Sequence, residues 1–511
     1  MPPLWTRALA ALGAASLLSQ IAPPHSLTWL HWVAYLPMFW AIRADTPRHN
    51  RWLAFLYGTV GVGLIFTWLI HTITVFSPSI PYAGAVGVWV LFSIVFGLPF
   101  LVLWPLVHPI RRRLGVWWVL VFPALQVVLD WGQMYLFLFP YSQGVAHYRA
   151  PWLWQIVSIT GVWGVTYLVF VVNTALAEAM YRRAEGRPFP TVAVAGAAGA
   201  VAAVLLFGAW RFDRIEQGLR DGESIRLAQL QSDIGMEARL TQSARAGWEE
   251  WVEMTRAVPD DVDLIVWPEG ACPFNLNEAP RISDEPRKIL AQLAVRKDAE
   301  LVVGGGKRVR KEDPQGKVRT RVFNTVFHFD RAGRVTGHYD KIVPVPFGEY
   351  LPFGEHFPGL GHALGIGNFQ AGETPVVFDS AHGRIAAPIC YEAILPWLCR
   401  SFPDPDLFIT VTNDAWYGDT ANPHQHAMLA AIRATELGVP LVRTAYTGVS
   451  LVVEPHGVIH SETAPFSRVS RVTEVRMGTF PTIYARFGDW FVGLCALLLL
   501  GAAVRVSAAR R

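Results

Sequence analysis

DLIVWPEG, residues 263–270, is a short apolar run closed by proline, glutamate and glycine. Apolar residues bounded by turn formers read as a buried strand, and a strand ending on a carboxylate displays it where α/β proteins keep their reactive groups. Upstream, SIRLAQLQ (224–231) reads as a strand and RLTQSARAGWEEWVEMTRAV (239–258) as a helix; downstream, PRKILAQLAVRKD (286–298) reads as a helix and ELVVGGG (300–306) as a strand. This alternation predicts an α/β domain. RVFNTVFHFD, the turn RAGR and RVTGHYDK then form a hairpin that delivers Lys341. RIAAPIC (384–390) reads as a strand that Cys390 closes, with the helix-like YEAILPWLCR following at once. DLFITVTN, a helix over HQHAMLAAIRATELG, and paired strands at LVRTAY and GVSLVVEP continue the pattern.

Glu269, Lys341 and Cys390 thus stand at three strand ends and supply a base, a cation and a thiol nucleophile. That set suits acyl transfer: the carboxylate takes up and returns protons while the lysine balances a tetrahedral oxyanion. A thiol ahead of a helix faces its N–H groups, which predicts a lowered pKa. Taken singly, a surface glutamate, a solvated lysine and a core cysteine are ordinary; it is their occurrence together with PFGEY and CYE that points to a site.

The other cysteines, Cys272, Cys399 and Cys495, make no disulfide framework, and no Cys/His grouping at ligand spacing calls for a metal. Cys272 reads as a small buried side chain. GGGK (304–307) lacks the phosphate-loop spacing and reads as a strand-end turn. His424 and His426, one residue apart near a helix start, read as capping or surface residues.

Of 511 residues, 52% are hydrophobic, 13% aromatic and 16% charged, too apolar for an ordinary soluble enzyme. Eight candidate spans lie near 5–22, 27–42, 52–76, 82–108, 114–131, 152–180, 191–210 and 487–505. The chain therefore divides into a transmembrane domain over 1–211, an α/β domain over 212–484 and a final span with its tail over 485–511. Arginines concentrate at Arg7, at Arg43, Arg48 and Arg51, at Arg111 to Arg113, at Arg182, Arg183 and Arg187, and at Arg505, Arg510 and Arg511; the alternate loops hold only Arg149. By the positive-inside rule both termini are cytoplasmic and the α/β domain faces outward. Residues 5–22 also have the charge and apolar core of a signal peptide, but IAPPHS offers no small-x-small cleavage site. The net charge of +4 is thus a topology signal, and no basic cluster with interleaved aromatics suggests nucleic acid. His71 and Asp130, within expected spans, call for partners at membrane depth. Pro344 to Gly372 lacks a period, and with Phe347, Phe353, Phe357, Leu360 and Leu364 it has two readings, a lid dipping into lipid or a loop packed on its own domain.

The ordered set WPE, K-x-x-x-x-P-F-G-E-Y-x-P and CYE resembles the carbon–nitrogen hydrolase (nitrilase) superfamily, and the surrounding spans narrow the likeness to its apolipoprotein N-acyltransferase family. The resemblance implies a four-layer α-β-β-α sandwich. It makes Cys390 the nucleophile, Glu269 the general base and Lys341 the electrostatic partner, with Glu349, Tyr391 and Glu392 in support. VTNDAWYG (411–418) resembles the family's segment beside the pocket, whereas QLQSDIGMEARL lacks a tryptophan that the family often carries there; Trp248 is not assigned that role.

The implied reaction is a two-step transfer without metal or organic cofactor, from a phospholipid, phosphatidylethanolamine, to the diacylglyceryl-cysteine of apolipoproteins. The implied setting is a bacterial inner membrane with the catalytic domain in the periplasm. A membrane-tethered amidase and a lipid-binding or transport scaffold are the alternative readings of the same chain.

Overall fold

The computed structural model describes residues 2–508 apart from 44–45, 137–140, 236–242, 278–279, 313–317, 352–353, 357–358 and 360–366. The chain forms two compact units: residues 1–70, 82–213 and 482–511 make the first, and 71–81 with 214–481 make the second.

The first unit is helical. Among the described residues, four stretches are long and apolar enough to cross a membrane: Tyr82–Tyr135, Val162–Ala184, Thr191–Arg220 and Trp490–Ala508. The first is interrupted by 3-10 turns at Trp104–Leu106 and Gly115–Trp117, so it holds two of the expected spans. Helices Pro47–Ile65 and Leu69–Phe76 qualify only as a pair, bent by 57°.

Two of the eight candidate spans differ in the structure. Residues 27–42 form a 3-10 turn, Thr28–Trp32, and a helix of six residues, Leu36–Ala41, far short of the roughly 20 needed to cross a bilayer. The stretch 152–180 opens with two single-turn helices, and Gly161, at φ 63°, breaks the chain before Val162–Ala184 begins. Composition registers apolarity but not such breaks. Asp130 is buried and accepts from Gln126 Nε2 (2.6 Å) and Gln143 N (3.2 Å), the internal satisfaction that a polar group at this depth requires. His71, by contrast, is exposed and belongs to the second unit.

Among the described residues, the second unit contains twelve strands in two sheets. The first sheet runs β12-β1-β2-β3-β4-β5, where β1 is Ser224–Gln231, β2 Leu264–Trp267, β3 Glu300–Glu312, β4 Val318–Phe329, β5 Val335–Asp340 and β12 Val469–Arg476. The second runs β11-β10-β9-β8-β7-β6, with β6 Val377–Ser380, β7 Gly383–Ala386, β8 Leu407–Thr412, β9 Leu441–Ala445, β10 Leu451–Val453 and β11 Ile459–His460. Each sheet is parallel at its centre, β1-β2-β3 and β7-β8-β9, and antiparallel outside it.

Helices Ala244–Ala257 and Pro280–Lys297 cover the first sheet. Trp248, Trp251, Trp267, Leu290, Leu301 and Phe329 form the core there, each at most 5% exposed. Helix Ala421–Leu437 packs on the second sheet through an almost wholly buried run. The sheets face each other through polar as well as apolar contacts. Gln229 Nε2 donates to Arg443 O (2.7 Å), and Ser450 Oγ donates to Gln231 Oε1 (2.6 Å). This is the expected α-β-β-α sandwich.

GGGK proves to lie inside β3 rather than at a turn, because the strand continues to Glu312 and pairs with β4 along its length. At the far end of β3, Glu300 accepts from Ser380 Oγ (2.5 Å) and Ala381 N (3.0 Å), with buried His328 at 3.4 Å, and so ties the turn between β6 and β7 to the first sheet. Burial opposes ionisation of Glu300, but His328 and the donors at 380–381 outweigh it and hold the carboxyl at about 2. A carboxylate depressed below its ordinary value of 4.5 stabilises the fold above that pH and loses its contribution as pH falls toward 2. The thermal midpoint in detergent should therefore drop as pH is lowered from about 5 to about 3. Glu300→Gln should flatten that slope while costing about 1–3 kcal/mol at neutral pH; an unchanged slope would show that other groups set the acid limb.

Candidate active site

Glu269 stands two residues beyond β2. Its position is set by the close approach of β3: a Cβ on Gly304 would lie 2.3 Å from Pro268 O and 2.8 Å from Glu269 Cα. Both contacts are backbone, so alanine at 304 must push the WPE turn away. Gly304→Ala should slow the chemistry about 100-fold, the usual consequence of misplacing a reacting group by about 1 Å. Single-turnover kinetics on the folded variant would measure it.

Lys341 follows β5, and its backbone N donates to Asn324 O on β4 (2.9 Å). Its ammonium is 1% exposed, 2.8 Å from Glu349 Oε2 and 3.3 Å from Glu269 Oε1. Burial works against the charge, but Glu269 and Glu349 outweigh it and keep Lys341 protonated well above the ordinary range.

Cys390 occupies a sharp turn. The strand before it ends at Ala386, Ile389 makes one further bridge to Val411, and Cys390 itself has φ 55°. A non-glycine residue in the left-handed region costs of order 1–3 kcal/mol, and such strain collects at functional positions. The helix expected over 391–400 is absent. Cys390–Ile394 is a 3-10 turn, Leu395 is extended, and Pro396–Cys399 adds one short helical turn. Pro396 accounts for the break, because a residue preceding proline is driven from the helical region.

The expected depression of the thiol pKa fails with that helix. Burial, then the charge of Glu269, push Cys390 up, against smaller opposing effects of Lys341 and a hydrogen bond with Thr412. Burial and the Glu269 charge thus favour the neutral thiol at Cys390.

Glu269, Lys341, Glu349 and Cys390 line one cavity of about 590 Å³. Asn324, Asn413, Trp416 and Tyr417 also line it, as do Val322, Val345, Phe369 and Phe76, giving a polar end and an apolar wall. Phe76 stacks on Trp416 with ring centroids 4.3 Å apart and planes 11° from parallel. Cys272 reaches the same cavity but is buried, which pushes its thiol up to about 12. Cys399 is a core residue whose thiol points to Glu392 O and Ala393 O.

Tyr391 and Glu392 are brought close but do not line the cavity. Glu392 is fully buried and accepts from Ile342 N (2.6 Å), Val343 N (3.0 Å), Tyr339 Oη (2.9 Å) and Ile389 N (2.8 Å). Burial pushes its carboxyl up to about 7 while those donors pull the other way. Four donors on one carboxylate clamp the chain after Lys341 to the turn before Cys390.

Glu269 accepts from Asn413 N at Oε2 (2.8 Å) and from Asn324 Nδ2 at Oε1 (2.6 Å), the latter a contact that sequence reasoning missed. The only available signal was the position of Asn324 beside the hairpin that carries Lys341. His426 also departs from expectation. It is 6% exposed, and its Nδ1 lies 2.9 Å from Asp414, which Arg443 holds from the other side at 2.7 Å. Of the proposed lid, Phe347 is exposed with φ 62°, whereas Phe353, Phe357, Leu360 and Leu364 lie outside the described residues.

Among the described residues, Glu216, Glu454 and His456 place potential ligand atoms within 4.8 Å of one another, but Arg476 donates to both carboxylates and already supplies the cation.

Residues 224–479 match the family model of carbon-nitrogen hydrolases, and residues 14–175 match that of the apolipoprotein N-acyltransferase N-terminal domain. An apolipoprotein N-acyltransferase from Geobacter metallireducens is 30% identical over 98% of this chain and 95% of its own length. One from Brucella melitensis is 30% identical over 89% and 87%. A solved carbon-nitrogen hydrolase from Helicobacter pylori G27 aligns over 49% of this chain and 89% of its own, at 16% identity and a TM-score of 0.37. With both halves matched in order and the likeness running nearly end to end, the chain belongs to the apolipoprotein N-acyltransferase family of the carbon–nitrogen hydrolases.

Proposed function

We propose that the protein moves an acyl chain from a phospholipid to the α-amino group of the N-terminal diacylglyceryl-cysteine of apolipoproteins, through a thioester on Cys390. The observation that carries this reading is the single cavity in which Glu269, Lys341, Glu349 and Cys390 meet beside an apolar wall. The neutral thiol gives its proton to Glu269 as Sγ attacks the ester carbonyl of the donor, phosphatidylethanolamine. Lys341 stabilises the oxyanion, and Glu269 returns the proton to the departing lysophospholipid oxygen. The lipoprotein amine then attacks the thioester, Glu269 accepts its proton, and the thiol is regenerated. Glu349 keeps Lys341 in place, and Glu392 and Tyr391 support the turn. The reaction needs no metal or organic cofactor in this scheme.

A phospholipid and a diacylglyceryl-cysteine peptide mixed with purified protein should yield lysophospholipid and an amide-linked chain on the peptide. Steady release of free fatty acid, or hydrolysis of small amides at comparable rates, would instead mark a tethered amidase.

The setting that fits is a bacterial inner membrane, with both termini cytoplasmic and residues 212–484 in the periplasm, as the arginine distribution supports. Reporter fusions at Arg113 and Arg187 should give cytoplasmic signals and one at Gly270 a periplasmic signal. A cytoplasmic signal at Gly270 would reverse the orientation.

A further inference from the structure

Two carboxylates share one ammonium in this site. Glu269 and Glu349 both contact Lys341, leaving one negative charge in excess in a buried place, and neighbouring carboxylates relieve such an excess by sharing a proton. A shared proton would disable the base. Asn324 stands between them. Its Nδ2 donates to Glu269 Oε1 at 2.6 Å and to Glu349 Oε1 at 2.9 Å, and the residue is 8% exposed. A carboxamide nitrogen has two hydrogens to donate and none to surrender. Its orientation is fixed by the pair, since a flipped amide would set Oδ1 against both carboxylate oxygens.

The remaining contacts single out an atom. Glu269 Oε1 already faces Asn324 and Lys341, whereas Oε2 receives only Asn413 N at 2.8 Å among the described residues. Each carboxylate oxygen offers about two acceptor sites, so Oε2 keeps one open.

We propose that Asn324 is a positioning residue that holds Glu269 and Glu349 apart without a shared proton and reserves Glu269 Oε2 for the proton of Cys390. The inference rests on Glu269 being the base. It gives a residue of β4 control over the protonation of the site.

The test is single-turnover thioester formation with a labelled phospholipid, followed against pH. The proteins compared are the wild type, Asn324→Ala, Asn324→Asp and Glu269→Gln, with thermal unfolding as the folding control. Asn324→Ala should be slower at neutral pH by about 10–100-fold, the size expected for a hydrogen bond to a charged group. Its acid limb should move up by about one pH unit, because the ionised pair has lost its donor, so the defect narrows as pH rises. Asn324→Asp keeps the shape of asparagine and adds a third carboxylate, so it should lose more at neutral pH; it carries the test even if alanine weakens the strand.

A purely structural role would lower the rate with the pH profile unmoved, and that result overturns the inference. So does a wild-type rate in Asn324→Ala. Should Glu269→Gln itself form thioester at the normal rate, the base assignment falls and this inference with it. An inactive Glu269→Gln beside an unaltered Asn324→Ala profile removes the inference alone.

Discussion

Cys390→Ala should abolish formation of the acyl-enzyme, while Cys272→Ala and Cys399→Ala should leave most of it intact, the largest effect the site predicts. All three thiols are buried, so exposure does not separate them. Placement does. Cys390 alone combines a left-handed turn, a place in the cavity and the charges of both Glu269 and Lys341 acting on its thiol. Cys272 shares the cavity, but its sulfur is engaged by Phe274 O at 3.7 Å. Cys390→Ser keeps an oxygen at the position, yet that hydroxyl is a far weaker nucleophile at its free pKa and should also fail to accumulate adduct. Intact-mass measurement after incubation with phospholipid reads all four variants; an acyl group on Cys272 or Cys399 would overturn the assignment.

Glu269→Gln carries the second largest expected effect. The substitution keeps the shape and removes both the proposed base and one of the two anions that hold Lys341 charged. General acid–base catalysis contributes typically ~10²–10⁴-fold, and here it acts in both half-reactions, so thioester formation and amide transfer should each fall by that order. Lys341→Ala should slow thioester formation by ~10²–10³-fold, the usual cost of one oxyanion stabiliser. A Glu269→Gln protein that still forms thioester but cannot pass it on would mean that another group deprotonates Cys390.

Much of this arrangement was legible in the sequence because it is local. Four apolar residues before Pro268 mark β2, and the turn RAGR between two β-rich runs marks the hairpin that ends at Lys341. What escaped depends on distant partners. The three glycines at 304–306 look like a turn, but they allow close approach to the chain at 268–275 from within a strand. The thiol pKa was read from a helix that Pro396 does not permit; the burial and the Glu269 field that raise it exist only once the sheets close. Asn324 bridges residues 55 and 25 positions away, and no spacing rule reaches that far. The expected spans at 27–42 and 152–180 broke in the same sense, since hydropathy measures composition over a window and does not register where a helix stops.

The proposed transfer turns on a thioester that waits on Cys390. Purified protein should be mixed with phosphatidylethanolamine alone, with lysophospholipid release followed while the protein is sampled for intact mass and peptide mapping. One lysophospholipid should be released per active site, followed by a stall, with one acyl chain mapped to Cys390 and discharged only when a diacylglyceryl-cysteine peptide is added. Continuous release of lysophospholipid and fatty acid without the peptide, or a burst that leaves Cys390 unmodified, would contradict it.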